Sequence, residues 1–122
     1  MTVELNHTII WCRDKARSAS FLAEILGRSA PREVFHFLVV DLDNRVSLDF
    51  METSGELAMQ HYAFKLDRAS FDAAFARIRE RKLTWWGDPA RRRVRETYLH
   101  QGDEGLYFAD PDGHFLEIIA PA

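Results

Sequence analysis

Segments rich in β-branched and aromatic residues alternate along the chain with two amphipathic segments. The first segment, Val3–Cys12, predicts a buried strand. Asp14 is suited to begin a helix over Lys15–Leu26, whose apolar residues form one stripe, and Gly27 is suited to the position after its last turn. The pattern therefore opens with a strand followed by a helix.

Two more strands complete the first half of the chain. Phe35–Val40 is predicted as a strand, and Val46–Met51 is predicted as another because its apolar and polar residues alternate. Asp43 and Asn44 predict the turn between these strands. A polar segment, Thr53–Glu56, then marks the middle of the molecule.

The second half repeats this order of elements. Gln60–Leu66 predicts a strand, and Ser70 is suited to cap a helix with apolar residues at the spacing of one buried face, namely Phe71, Ala74, Phe75 and Ile78. Further strands are predicted over Leu83–Trp86, Leu106–Ala109 and Phe115–Ile119. The last two of these are joined by Asp110–Gly113, which has the Pro and Gly positions of a type I turn.

The two halves look like copies of one module. Each opens with a strand that carries a histidine, His7 or His61, and closes with an acid between apolar residues, Asp49 or Glu117. Asp49 follows His7 by 42 residues, whereas Glu117 follows His61 by 56 residues, so we place fourteen extra residues in the weakly patterned Gly87–Gln101. The prediction is an α+β fold of two tandem βαβββ modules, about 1–54 and about 57–122.

Composition limits the classes of function without identifying one. The 122 residues suit a single domain, and a net charge of −3 weighs against a general binder of nucleic acid or anionic membranes. Cys12 is the only cysteine, which leaves no internal disulfide, and no apolar run approaches the ~20 residues of a membrane span. We expect a cytoplasmic protein with no nucleic-acid or membrane partner.

The two histidines and two acids are candidates for metal binding. Because alternate side chains of a strand point to opposite faces, each of them has mostly apolar neighbours, and an ionised carboxylate there is costly unless it is paired or bound to a cation. Any one of them alone is explained as an ordinary strand residue, but their repetition in two modules favours a site. Two imidazoles with one carboxylate are typical of Fe²⁺, and extra oxygen ligands also suit Mn²⁺, Ni²⁺, Co²⁺ or Zn²⁺.

The segment from Asp110 to Glu117, which reads DPDGHFLE, resembles the ending of the vicinal oxygen chelate superfamily. This superfamily includes glyoxalase I, extradiol dioxygenases, fosfomycin and bleomycin resistance proteins and methylmalonyl-CoA epimerase. Leu5–Thr8 and Gln60–Phe64 resemble its two histidine strands. The resemblance implies paired βαβββ modules that form a cupped mixed sheet around a divalent metal, with His7, His61, Glu117 and Asp49 as the predicted ligand set.

Asp49 departs from the pattern of the glyoxalase-type members, which carry a glutamate at this point. The side chain of aspartate is one methylene shorter than that of glutamate. Asp49 is therefore either a fourth metal ligand or a residue that lies behind the other three predicted ligands. The three-residue set of His7, His61 and Glu117 would be similar to that of the dioxygenase branch. Both alternatives follow from the sequence.

The resemblance implies a metal-dependent enzyme of the glyoxalase or extradiol dioxygenase type, which chelates two adjacent oxygens of a small substrate. The alternatives are a resistance-type protein that sequesters its ligand without catalysis, and a regulatory domain with a vestigial site. The candidate catalytic residues are Glu117, Tyr107 and His100. The aromatic or apolar part of the substrate is expected to contact Ile9, Trp11, Met51 and Phe115, and Arg93 is the candidate contact for an anionic part.

Two further expectations concern the loop and the oligomer. Gly87–Gln101 is long for a plain connection and carries an arginine cluster, which suits either a clamp for an anion or a solvated surface. A symmetric homodimer is expected, because the sheet face that holds the site cannot be left open along its whole edge.

Overall fold

The chain is arranged as two compact units, Met1–Ala58 and Met59–Ala122, in a computed structural model that describes all 122 residues. Each unit contains one helix and one sheet, in the order βαβββ, and the second unit has one additional short strand. The α+β class and the repeated module are thereby confirmed. No helix is long and apolar enough to cross a membrane.

The first unit contains one helix and a four-stranded sheet: β1 (His7–Cys12), α1 (Lys15–Leu26), β2 (Arg32–Val34), β3 (Phe37–Asp41) and β4 (Ser47–Glu52). The strand order is β1-β4-β3-β2. β1 pairs with β4 in parallel, and the other neighbours are antiparallel.

Helix α1 begins and ends where the sequence predicts. The Asp14 carboxylate accepts a hydrogen bond of 3.1 Å from the backbone N–H of Arg17, and this bond satisfies one of the free donors of the first turn. Gly27 adopts a left-handed conformation at φ 68°, which glycine reaches without steric cost. The helix buries its apolar stripe, with Leu22 and Ile25 almost fully enclosed.

The second unit repeats the arrangement with β5 (His61–Lys65), α2 (Arg68–Glu80), β6 (Trp85–Trp86), β7 (Tyr98–His100), β8 (Asp103–Ala109) and β9 (Phe115–Pro121). Its strand order is β5-β9-β8-β6, and β5 pairs with β9 in parallel. β6 and β7 pair with different parts of the same edge of β8.

The extra residues of the second unit lie in its edge strand. Two residues, Phe35 and His36, connect β2 to β3, whereas sixteen residues separate β6 from β8. The difference of fourteen confirms the position that the histidine-to-acid spacing predicts. The insertion divides the edge strand into β6 and β7, and a loop lies between the two parts.

Several predicted elements differ from the structure in their bounds. The ladder of β1 starts only at His7, and the three-residue strands β2 and β7 lie outside the predicted strands. Helix α2 is capped by Asp67 and not by Ser70. The Asp67 carboxylate accepts a bond of 2.7 Å from the backbone N–H of Ser70, which lowers the pKa of Asp67.

Helix α2 covers one face of the second sheet and leaves the other face to polar residues. Phe71 and Ile78 are fully buried on the helix, which packs on β9, where Leu116 and Ile118 are also buried. Because successive residues of a strand point to opposite faces, Glu117 belongs to the face away from the helix.

The turn before β9 is tied to the start of β5 by a buried histidine. The backbone N–H of Gly113 donates to the carbonyl of Asp110 at 3.0 Å, which closes the predicted turn. His114 is 1% exposed, and its Nδ1 accepts a bond of 2.9 Å from the backbone N–H of Gln60. This bond joins Gln60, the residue before His61, to His114, the residue before β9.

Replacing His114 by Leu is expected to destabilise the protein by about 1–3 kcal/mol, because the buried N–H of Gln60 loses its acceptor. The measurement is the free energy of unfolding in urea. His36→Leu is the matched control, because His36 is exposed in the turn after β2, and it should change stability by less than about 0.5 kcal/mol. Equal effects of the two substitutions would contradict this role of His114.

Candidate functional site

One face of the second sheet gathers the polar and aromatic residues of the candidate site. Phe115, Glu117 and Ile119 share this face of β9, and we call it the site face. In the register of the sheet, Glu117 is paired with Ala63 on β5 and with Tyr107 on β8. Three adjacent strands therefore present their side chains around one buried carboxylate.

His61 and Glu117 form the polar centre of the site face. Nε2 of His61 lies 3.3 Å from Oε1 of Glu117, and the Glu117 side chain is only 10% exposed. Nδ1 of His61 lies 2.8 Å from the backbone carbonyl of Phe115. Because a carbonyl oxygen only accepts hydrogen bonds, Nδ1 carries a proton, and Nε2 is the ring nitrogen that faces Glu117.

The His61 and Glu117 atoms that face each other are both electron-pair donors, and such a pair is stabilised by a cation or a proton between them. Imidazole nitrogen and carboxylate oxygen are common ligands of divalent metals, and the two atoms lie 3.3 Å apart on the site face. The bond from Nδ1 to a backbone carbonyl is the contact that commonly orients a metal-binding histidine. These two residues fit a divalent metal.

Tyr98 holds the other oxygen of Glu117. Its hydroxyl donates a short hydrogen bond to Oε2, so both carboxylate oxygens have a partner on the site face. Burial raises the pKa of Tyr98, and the adjacent Glu117 carboxylate raises it further, so the hydroxyl keeps its proton at neutral pH.

Gly105 makes room for the Tyr98 ring. A Cβ added at Gly105 would lie 2.2 Å from Cζ and from the hydroxyl oxygen of Tyr98, so the ring crosses β8 directly over this glycine. Gly105 is paired with Tyr98 on one side and with Ile119 on the other. The missing side chain therefore lets Tyr98 reach from the edge strand to Glu117 on β9.

Aromatic rings surround the pair of His61 and Glu117. The rings of Tyr107 and Phe115 are stacked, with centroids 5.2 Å apart and an interplanar angle of 8°. Trp86 lies 5.7 Å from Phe115, and His61 lies 6.0 Å from Tyr107. Burial also raises the pKa of Tyr107, with a smaller contribution from Glu117.

The inserted loop is closely held beside these rings. The Asp88 carboxylate accepts hydrogen bonds from the backbone N–H groups of Arg92 and Arg93, and Arg93 donates to the carboxylate of Glu96 and to the carbonyl of Thr97. Arg93, the predicted substrate contact, thus has its guanidinium engaged within the loop.

The first unit carries the remaining predicted site residues on one face of its sheet. Asp49 is half-buried on β4 and accepts a bond of 2.8 Å from the Ser47 hydroxyl. Ile9 is paired with Asp49 and Trp11 with Met51, so the three predicted apolar contacts surround this acid. Trp11 is 40% exposed.

His7 is exposed at the start of β1. Its Nδ1 lies 2.7 Å from the side-chain oxygen of Asn6. An amide oxygen only accepts, so Nδ1 of His7 carries a proton and Nε2 is the ring nitrogen left without this contact.

The structure groups the predicted ligands by unit. His61 and Glu117 are in contact in the second unit, while His7 and Asp49 lie on neighbouring strands of the first unit. No three His, Cys, Asp or Glu side chains form a group that could hold a metal ion. His100, a predicted catalytic residue, is exposed on β7, and only its neighbour Tyr98 reaches Glu117.

Comparison with known proteins identifies the family. Residues 4–118 match the model of the Glyoxalase/Bleomycin resistance protein/Dioxygenase superfamily, a range that includes all four predicted metal ligands. The chain belongs to this superfamily. The vicinal oxygen chelate resemblance of its motifs is thereby confirmed, and no curated protein sequence matches the chain significantly.

Two solved structures of proteins named as oxidases are similar to the chain over nearly its whole length. Oxidase ChaP-H1 is 51% identical, with 99% of this chain and 98% of that chain covered and a TM-score of 0.96. Oxidase ChaP-H2 is 47% identical, with 100% and 96% covered and a TM-score of 0.96. The fosfomycin resistance protein FosX from Mesorhizobium loti is 22% identical, with 100% and 95% covered and a TM-score of 0.70, and shows the shared fold.

Two contacts of the site face do not follow from the sequence pattern. Tyr98 lies in the weakly patterned segment Gly87–Gln101, whose pattern does not predict an edge strand. The nearest signal for Tyr98 is Gly105, which lies just before the predicted strand Leu106–Ala109 and inside the observed β8, because a glycine within a strand often marks the close approach of another group. Arg91, and not Arg93, lies over the rings of Trp86 and Phe115.

Gly105→Ala is expected to destabilise the protein by about 1–3 kcal/mol, because the added methyl group collides with the Tyr98 ring. In a Tyr98→Ala background the same substitution should cost less than about 0.5 kcal/mol, since the collision is gone. Urea unfolding of the two single variants and the double variant measures this coupling.

Gly55→Ala is the control for the Gly105 variant, because an added Cβ there meets only the Thr53 hydroxyl at 3.4 Å. It should leave stability nearly unchanged. If the costs of Gly105→Ala and Tyr98→Ala simply add, the close packing of the ring on the glycine is refuted.

Proposed function

We propose that the protein is a metal-dependent oxidase or dioxygenase that acts on a small aromatic molecule with two adjacent oxygens. The observation that carries this proposal is the pair formed by Nε2 of His61 and Oε1 of Glu117, with the protonated Nδ1 tied to a backbone carbonyl. The similarity to two proteins named as oxidases, at 51% and 47% identity, favours oxidative chemistry over the lyase chemistry of other members.

His61 and Glu117 are the residues proposed to hold the metal in the second unit. His7 is the proposed third ligand, and Asp49 is a ligand or a neighbour of one, as the sequence resemblance implies. The metal is Fe²⁺, Mn²⁺, Ni²⁺, Co²⁺ or Zn²⁺ by ligand type, and oxidative chemistry favours the first two. A bound metal would polarise the two substrate oxygens and, as Fe²⁺ or Mn²⁺, would activate O₂ for reaction with the carbon atoms of the chelated substrate.

Groups around His61 and Glu117 orient these two proposed ligands and provide a candidate proton donor or acceptor. The Phe115 carbonyl fixes the tautomer of His61, and the Tyr98 hydroxyl fixes the orientation of Glu117 through Oε2. Tyr107 lies beside the carboxylate and is the proposed proton donor or acceptor for a bound substrate. His100 is a more distant candidate for the same role, because it is exposed at the end of β7.

Aromatic residues of the site face support an aromatic substrate. Trp86 and Tyr107 are partly exposed next to His61 and pack around the buried Phe115 ring, so they offer aromatic contacts to a planar ring. Ile9, Trp11 and Met51 of the first unit, together with Phe115 and Arg93, remain the proposed substrate contacts. A homodimer remains the proposed assembly.

Elemental analysis of protein purified without chelators is expected to give about one divalent ion per chain. His61→Ala and Glu117→Gln should lose this ion, and Tyr98→Phe should weaken its binding by about tenfold, because Glu117 is then less well oriented. The wild-type protein should gain thermal stability from added metal, since a ligand that binds only the native state stabilises it.

His36→Ala and Glu56→Gln are the controls for metal binding, because both residues are exposed and lie outside the proposed site. They should keep the metal. Asp49→Asn should weaken binding as strongly as Glu117→Gln if Asp49 is a ligand, and less if it lies behind the ligands. Equal metal content in the wild-type and His61→Ala proteins would contradict the proposed centre.

Oxygen consumption tests the reaction. With Fe²⁺ or Mn²⁺ bound, the protein should consume O₂ in the presence of aromatic compounds that carry two adjacent hydroxyls, measured with an oxygen electrode. His61→Ala and Glu117→Gln should fall to the rate of the metal-free protein, while His36→Ala should keep the full rate. If the metal-free protein binds such an aromatic compound, and no O₂ is consumed even after Fe²⁺ or Mn²⁺ is added, sequestration without catalysis is favoured instead.

A further inference from the structure

Arg91 lies over two aromatic rings of the site face without an acidic partner. Its guanidinium carbon is 4.6 Å from the centroid of the Phe115 ring and 5.2 Å from that of Trp86. No carboxylate pairs with this guanidinium, although acids pair with arginines elsewhere in the second unit, at Arg68 and Arg93. The positive charge at this position is therefore available to a ligand.

The loop does not depend on the Arg91 side chain for its own structure. Asp88 holds the backbone N–H groups of Arg92 and Arg93, and the N–H of Gly87 donates to the carbonyl of Arg93 at 2.9 Å. Trp86 and Val94 form an isolated β-bridge. These contacts hold the loop in place and leave the guanidinium of Arg91 with ring contacts alone.

The backbone of Arg91 has a left-handed conformation, which the contacts of the loop maintain. Its φ is 61°, in the left-handed region that residues other than glycine seldom adopt. Five other non-glycine residues also have a positive φ, among them Arg95 in the same loop, so this conformation reflects the contacts that hold the loop and does not by itself mark a binding site. The loop thus uses its backbone contacts to direct this arginine onto the rings.

Arg91 also lies close to the proposed metal-binding pair. Phe115, which it covers, shares the site face with Glu117, two residues further along β9, or about 7 Å away between Cα atoms. The carbonyl of Phe115 is the group that orients His61. An aromatic ligand bound beside Trp86 and Tyr107 would therefore lie near both Arg91 and the metal-binding pair.

We propose that Arg91 binds a carboxylate carried by the aromatic ligand, so that the substrate class is an aromatic carboxylic acid. This inference rests on the proposed function for the reaction, but the binding preference itself requires neither metal nor turnover. The planar guanidinium matches a carboxylate with two parallel hydrogen bonds, and it can keep its contact with the rings while doing so. A neutral ligand of the same shape would lack this contact.

The test compares naphthoate with its neutral isostere naphthamide, using isothermal titration calorimetry on the metal-free full-length protein. The wild-type protein should bind naphthoate about tenfold more tightly, as expected for a charge-assisted bidentate contact. Arg91→Met should abolish this preference. Arg91→Lys should keep only part of it, because the charge remains while the planar fork is lost.

Arg79→Met is the matched control. The Arg79 guanidinium lies 4.1 Å from the Phe75 ring on helix α2, so this variant removes an equal charge and an equivalent ring contact away from the site face. It should keep the full preference for naphthoate. Thermal denaturation of both methionine variants checks that any loss at Arg91 is not a loss of folding.

The outcomes separate the two proposals. A wild-type protein without preference for naphthoate, or a preference that survives in Arg91→Met, overturns the role of Arg91 whatever the metal content is. A preference that Arg91→Met removes, in a protein that binds no metal and consumes no O₂, supports the role of Arg91 and refutes the oxidase proposal.

Discussion

The parallel pairing of the first and last strands of each unit is the constraint on which the rest of the structure depends. β1 lies beside β4 and β5 beside β9, although about forty to fifty residues separate the paired strands along the chain. Two parallel neighbours cannot be joined by a tight turn, so the chain has to leave the sheet and return. The helix in this connection covers one sheet face, and the opposite face is left for the predicted ligands.

The same pairing determines which chemical groups meet. The register places Ala63 beside Glu117, so His61, two residues earlier on the same face, points its imidazole at the carboxylate. In the first unit Ile9 is beside Asp49, and His7 takes the corresponding position. The equivalent registers mean that a duplicated module carries its histidine and its acid to equivalent places, but the surroundings of the two acids differ.

The buried carboxylate of Glu117 determines several side-chain contacts of the second unit. Glu117 has to be satisfied on both oxygens, and the second partner comes from Tyr98 on an edge strand that does not adjoin β9. Tyr98 reaches Glu117 only because Gly105, on the strand between them, has no side chain to block the ring. The fourteen-residue insertion therefore supplies the Tyr98 hydroxyl and the Arg91 guanidinium, neither of which has a counterpart in the tight turn between β2 and β3.

The sequence by itself determined the class of fold, the repeated module, the first helix with both of its ends, the DPDG turn and the strands that carry the four predicted ligands. These features depend on local signals within short stretches of the sequence, namely the alternation of apolar and polar residues, the helical spacing of apolar residues and the capping residues. The tertiary structure alone decided that Tyr98 and not His100 reaches Glu117, that Arg93 is engaged within its loop, and that Arg91 lies over Phe115. Those contacts depend on strand register and on the path of an inserted loop. Both are set by packing between residues far apart in the chain, and no local pattern encodes them.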